Sequence, residues 1–177
     1  FDLDTYPIND LNNPKTKELI LQTSRELNKV GCAVIRDFVS LESIARMQAE
    51  AERKMDKVFW SEDRHNPYFT KEDLTLPTDH PRRFFEKRLS GYLNSNRLDE
   101  NSDLNEIFFS QILLDFLSKC LGVSPLYCWA DPIGNHPYSL MKDDNYFPWH
   151  FDGNEFTVSI LIQEAEQGGI FEYVPDI

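Results

Sequence analysis

The chain has 177 residues, 41% of them apolar, and a formal net charge of −12 at neutral pH. That length and apolar share suit one domain with a sizeable core, while the acidic surplus repels phosphate backbones and disfavours nucleic acid as a partner unless a local basic patch overrides the net field. With no run near the ~20 apolar residues of a membrane helix and no basic-then-apolar leader, a cytoplasmic protein without a membrane partner is expected.

After Asn13 and Pro14, the residues Leu19, Ile20, Leu27 and Val30 fall on one helical stripe that Gly31 ends, which predicts a first helix. The β-branched "CAVI", residues 32–35, predicts a short strand. Ser40 and Ser43 are candidate caps for a second helix whose apolar face is Leu41, Ile44, Met47, Ala51 and Met55. Residues 61–81, rich in Asp, His, Pro and Thr, read as a long loop of the kind that is commonly functional. "RRFFEKRLSGYL", residues 82–93, fits either strand or helix. "SDLNEIFFSQILLDFLSKCLG", residues 102–122, predicts one helix with an N-terminal cap and a closing glycine. From Leu126 the period changes to two, and strands are predicted at "LYCWAD", "PYSLMK", "NYFPWHF", "FTVSILIQ" and "GGIFEYVP". Helices first and strands later predict an α+β fold in a single domain over 1–177, mainly helical over 1–125. Cys32, Cys120 and Cys128 lack the spacing of a zinc site or a disulfide framework and read as reduced core residues.

The chemistry concentrates at "WHFDGNEF". In an extended strand, His150 and Asp152 point to the same side and can offer an imidazole and a carboxylate to one ion. With one further His they would hold one face of a divalent iron and leave three positions open. The same residues also suit a strand end followed by an Asp-Gly-Asn turn that binds nothing. Residues 153–177 contain no His, Lys or Arg, and His136 is the substitute third ligand nearest in sequence, though its place beside Asn135 and Pro137 also suits a loop.

The stretch "WHFDGNEFTVSILIQEAEQGGIFEYVP", residues 149–175, resembles the region around the first two iron ligands of Fe(II)- and 2-oxoglutarate-dependent oxygenases, nearest the branch of amino-acid hydroxylases and radical halogenases. The likeness rests on His150, Asp152, Asn154, Phe156, the run to Gln163 and the Gly168-Gly169 turn; "VGCAVIRDFVSLESIARMQAEAERKM" adds a looser likeness to the helix-strand-helix opening of such enzymes. The resemblance implies N-terminal helices packed on a double-stranded β-helix, or jelly roll, with residues 126–177 as its first strands. It implies Fe(II) on His150 and Asp152, with 2-oxoglutarate and O2 as cosubstrates. It further implies hydroxylation of a C–H bond in a small polar substrate, such as a free amino acid. Halogenases of this kind carry Gly or Ala where this chain keeps Asp152, so hydroxylation rather than chlorination is expected. The family also supplies a distal His and a following basic residue, and a continuation of the sheet beyond Ile177 is expected to carry them.

Around the pair, Tyr138 and Thr157 are candidate cosubstrate contacts, and Trp149 and Asn154 are candidate substrate contacts; each also suits packing or a turn. The basic cluster Arg82, Arg83, Lys87 and Arg88 reaches a carboxylate or forms a solvated face, and His65 and His80 receive no role. A competing expectation is a non-catalytic jelly-roll binding module that has lost its complete metal site. A zinc hydrolase is disfavoured because no Glu or His at hydrolase spacing accompanies the pair.

Overall fold

Helix α1 (Pro14–Val30) opens where the Asn13 side chain accepts from the Lys15 amide and Pro14 fills the first turn, in a computed structural model that describes residues 1–175. It closes at Gly31, whose φ of 73° is the left-handed cap glycine adopts without strain. Helix α2 (Leu41–Arg53) is capped by Ser40, whose hydroxyl accepts from the Ser43 amide at 3.3 Å. Ser43 is therefore no cap; its own hydroxyl donates to Asp103 at 2.6 Å. The predicted apolar face holds in its middle, where Met47 and Ala51 are buried, but Leu41 is 82% exposed and Met55 lies beyond the helix end.

The single helix predicted over 102–122 is two. Helix α3 (Asp103–Phe108) stops before Ser110, which takes an extended conformation and recaps helix α4 (Gln111–Leu121) by accepting from the Leu113 amide. Helices α1 and α4 are tied by the Ser24 hydroxyl, which donates to the Cys120 carbonyl at 2.6 Å. The core gathers Ile8, Met47, Ala51, Ile107, Leu113, Phe116 and Cys120 with Leu93 and Tyr138 from the sheet. Burial pushes the Cys120 thiol up to about 11, so it stays protonated; Cys128 is exposed rather than a core residue.

Strands β1 (Phe59–His65) and β2 (Glu86–Leu93) pair antiparallel, with Phe59 opposite Tyr92 and His65 opposite Glu86; β3 (Tyr138–Leu140) pairs with the far end of β2. Alternation along this register gives the sheet two distinct faces. One carries Gly91, Leu93, Tyr138 and Leu140 and packs on the helical core, with Leu93 fully buried. A Cβ at Gly91 would lie 2.8 Å from both Trp60 and Val58, so the glycine permits this close approach. The other face carries His65, Arg88, Ser90, Tyr92 and Ser139.

The architecture is thus mixed helix and sheet with a small three-stranded antiparallel sheet, and several predicted strands are corrected. Residues 32–35, 126–131, 145–151, 156–163 and 168–175 form no ladder among the described residues. Alternation reports a segment that suits a half-buried surface; a ladder also needs a neighbouring free edge. The Tyr146 carbonyl accepts one bond from the Leu89 amide at 3.1 Å, just beyond where β3 leaves the edge of β2. In 156–163, Ile160 and Ile162 pack on the core and the Gln48 side chain of α2 donates to the Ile162 carbonyl, so that alternation is used against a helix. Conversely, β1 runs into the region read as a loop from residue 61, because "SEDRH" has no apolar alternation. The ambiguous "RRFFEKRLSGYL" contains β2, so two of the three strands fall in the part expected to be mainly helical.

Candidate metal centre

The two faces of the sheet decide which predicted residues can meet. Past β3 the chain crosses to the face of Arg88: the Phe147 ring sits 3.8 Å from the Arg88 guanidinium carbon, and the Phe151 amide donates to the Pro67 carbonyl at 2.9 Å. The Tyr68 ring stacks on Phe151 at 5.1 Å. The underlying loop is held by Asn66, fully buried, whose amide nitrogen donates to the carbonyls of Thr70 and Arg82 and whose oxygen accepts from the Tyr68 and Thr70 amides. Residues 147–151 are therefore laid over a braced floor.

On that floor His150 Nε2 lies 3.2 Å from Asp152 Oδ1. His150 Nδ1 is 2.8 Å from the Pro148 carbonyl oxygen, which can only accept, so Nδ1 carries the proton. In the neutral ring the Nε2 lone pair then faces a carboxylate oxygen. Two acceptors in contact repel unless a cation lies between them, and either an additional proton or a metal ion satisfies the arrangement. Two donor atoms set ~90° apart at ~2.1 Å from one ion are about 3.0 Å from each other, close to the observed separation. The other carboxylate oxygen, Oδ2, accepts from the Thr157 hydroxyl at 2.6 Å, and the Asn154 amide nitrogen donates to Thr157 Oγ1 at 2.9 Å and to the Phe156 carbonyl. The pair is thus oriented from behind on both sides, as metal-ligating imidazoles and carboxylates characteristically are.

The structure therefore brings His150, Asp152, Asn154 and Thr157 together. Thr157 and Asn154 act here as positioning residues for Asp152, spending their donors within the turn. Trp149 is 47% exposed beside the pair. Tyr138 is not at this site: it lies on the opposite face of the sheet, buried, and its hydroxyl donates to Glu50 at 2.9 Å. Burial, and then the Glu50 carboxylate, push its phenol well above the ordinary range. His136 is also placed elsewhere. It stacks on Phe108 at 4.2 Å and bonds Asn105 at 2.6 Å, both in α3, and burial lowers its pKa.

Two further residues reach the site: His65, to which the sequence reading assigned no role, and Arg88, which stood there only as one of a basic cluster. His65, at the end of β1, is buried with its ring centroid 6.4 Å from that of His150, and Phe69 packs against both imidazoles. Arg88 lies over Phe147, which in turn packs on His150 with centroids 4.8 Å apart. Burial lowers the Arg88 pKa, opposed by Asp63 and Asp152. Among the described residues no group of three or more His, Cys, Asp or Glu side chains is placed to hold a metal. A mainly apolar cleft of about 450 Å³ lies between α1 and α4, away from the pair, and carries no metal-binding side chain.

Positioning through Thr157 makes a checkable prediction. Thr157→Val, which keeps the shape and removes the hydroxyl, should weaken Fe(II) binding about 10- to 100-fold in an anaerobic titration. Unchanged affinity would show that the hydroxyl does not orient the carboxylate.

No protein-family model, curated protein or solved structure matches the chain. No helix among the described residues is long and apolar enough to cross a membrane.

Proposed function

We propose that the protein is an Fe(II)- and 2-oxoglutarate-dependent dioxygenase that hydroxylates a C–H bond of a small polar substrate, with a free amino acid favoured by the resemblance. The observation that carries this reading is the His150–Asp152 contact at 3.2 Å, with the imidazole proton fixed on Nδ1 by the Pro148 carbonyl. His150 Nε2 and Asp152 Oδ1 would hold the metal. Bound iron would supply the activation of O2 that, with oxidative decarboxylation of 2-oxoglutarate to succinate and CO2, oxidises the substrate. The chain's own part is to orient these donors, keep Asp152 turned by Thr157, and wall the site with Phe69 and Phe147. Trp149 takes the substrate-facing role at the open side. The jelly roll of such enzymes belongs to this reading, with the three-stranded sheet and residues 145–163 as part of it. Cytoplasmic residence belongs to it as well.

Asp152 makes the reaction a hydroxylation, because a carboxylate on the metal fills the position a halide would need. With Fe(II), 2-oxoglutarate, O2 and a free amino-acid pool in high chloride, mass spectrometry of the product should show one added oxygen and no chlorine. A chlorinated product would overturn the assignment. A second reading, a binding module without turnover, is favoured by the absence of a third ligand near the pair among the described residues. It predicts substrate binding with no succinate.

A further inference from the structure

The face of the sheet beneath His150 holds four buried side-chain polar atoms without a hydrogen-bond partner among the described residues: His65 Nε2, Arg88 Nε, Ser90 Oγ and Tyr92 OH. The strand register places all four on one face, since Arg88, Ser90 and Tyr92 alternate along β2 and His65 sits opposite Glu86 on β1. Buried polar groups are ordinarily paired, and four exceptions on one patch need a common explanation.

Arg88 is the most informative of them. Its cross-strand neighbour Asp63 accepts from the Arg64 amide at 2.7 Å, and none of the ion pairs among the described residues includes Arg88. Instead the guanidinium lies against the Phe147 ring at 3.8 Å and the Tyr92 ring at 5.4 Å. A planar fork held against two aromatic rings, with Nε unspent, suits a carboxylate arriving from outside the chain. His65 offers the complementary group. Its Nδ1 lies 3.2 Å from the Asn66 carbonyl oxygen, which fixes the proton there and leaves Nε2 as a bare acceptor.

We infer that Arg88, with the Ser90 and Tyr92 hydroxyls, forms a carboxylate-binding subsite beside the His150–Asp152 pair, and that His65 accepts from a donor group of the same ligand. As the subsite of a reacting ligand it rests on the oxygenase reading; as a carboxylate site it stands on its own geometry. Two small molecules share this chemistry, a free amino acid and 2-oxoglutarate, and the test separates them.

The full-length protein, freed of metal, is titrated in one arm with 2-oxoglutarate and in the other with each free amino acid beside its carboxamide, which keeps the shape and lacks the charge. The subsite is made of protein side chains, so binding should persist without metal, whatever becomes of the oxygenase reading. In one arm a ligand should bind, with the carboxamide at least tenfold weaker if that ligand is an amino acid. Arg88→Met should weaken that ligand about 10- to 100-fold and Tyr92→Phe about threefold to tenfold, while Arg88→Lys recovers part of the loss. Thermal melts of the three variants show that each is folded, and Tyr92→Phe keeps the test decisive if Arg88→Met is not. Binding in neither arm, or a ligand held equally well by the wild type and the folded variants, would overturn the proposal.

Discussion

Replacing His150 or Asp152 by Ala should lower Fe(II) affinity on the order of a hundredfold or more and abolish 2-oxoglutarate turnover, while leaving the fold unchanged. The size of the effect follows from what each supplies: removal of a first ligand exceeds the 10- to 100-fold typical of residues that only orient one. The fold should be indifferent because neither side chain is part of the core, and the pair's exposures, 21% for His150 and 46% for Asp152, leave room for water when one is shortened. Anaerobic calorimetric titration with Fe(II), beside a thermal melt, separates the two readouts. Wild-type affinity in either variant would remove that residue from the metal centre.

The largest loss of stability should come from Glu50, a residue outside the site. It is 4% exposed in helix α2, and its carboxylate accepts from the Ser102 hydroxyl at 2.6 Å, the Asp99 amide at 2.7 Å and the Tyr138 hydroxyl at 2.9 Å. These three bonds join α2 to the segment before α3 and to β3, so one carboxylate fastens the helical layer to the sheet. Glu50→Ala strands all three donors, each costing about 1 to 3 kcal/mol when buried unpaired, and about 3 to 5 kcal/mol is expected in all. For a domain of this size that is a fall in Tm of roughly 10 °C. Tyr138→Phe, which removes one donor and leaves the acceptor with two, should cost only about 1 kcal/mol. Glu52→Ala, exposed on the same helix, should change stability by less than about 0.5 kcal/mol. Denaturant unfolding of the three variants checks the order; a Glu50→Ala protein as stable as the Glu52→Ala one would contradict it.

The sequence disclosed what depends on near neighbours. Asn13, Ser40 and Gly31 act at helix ends within a turn, and His150 and Asp152 meet across only two positions of the chain. Distant pairings were less legible. Arg88 and His65 join the site only through the register of β1 on β2, set across the chain between residues 65 and 86, and no local pattern encodes it. Tyr138 shows the same limit from the other side. Its alternation with Ser139 was readable, but which of the two faces the core depends on its partner Leu93. Ser110 hid a helix break because a serine inside an apolar helical stripe reads as an interior residue until its hydroxyl is seen capping the next turn. The strand-like run 156–163 was correctly apolar on alternate positions, yet its Ile160 and Ile162 meet the helical core rather than a neighbouring strand.

The central claim is that His150 and Asp152 form part of an iron centre that consumes 2-oxoglutarate. Succinate released by the full-length protein with Fe(II), 2-oxoglutarate, O2 and a free amino-acid pool measures this most directly. The account predicts iron-dependent succinate formation in the wild type, matched one to one by oxidised amino acid and absent from His150→Ala and Asp152→Ala. Succinate formed equally by the wild type and both variants, or no succinate from an iron-loaded wild type, would contradict it.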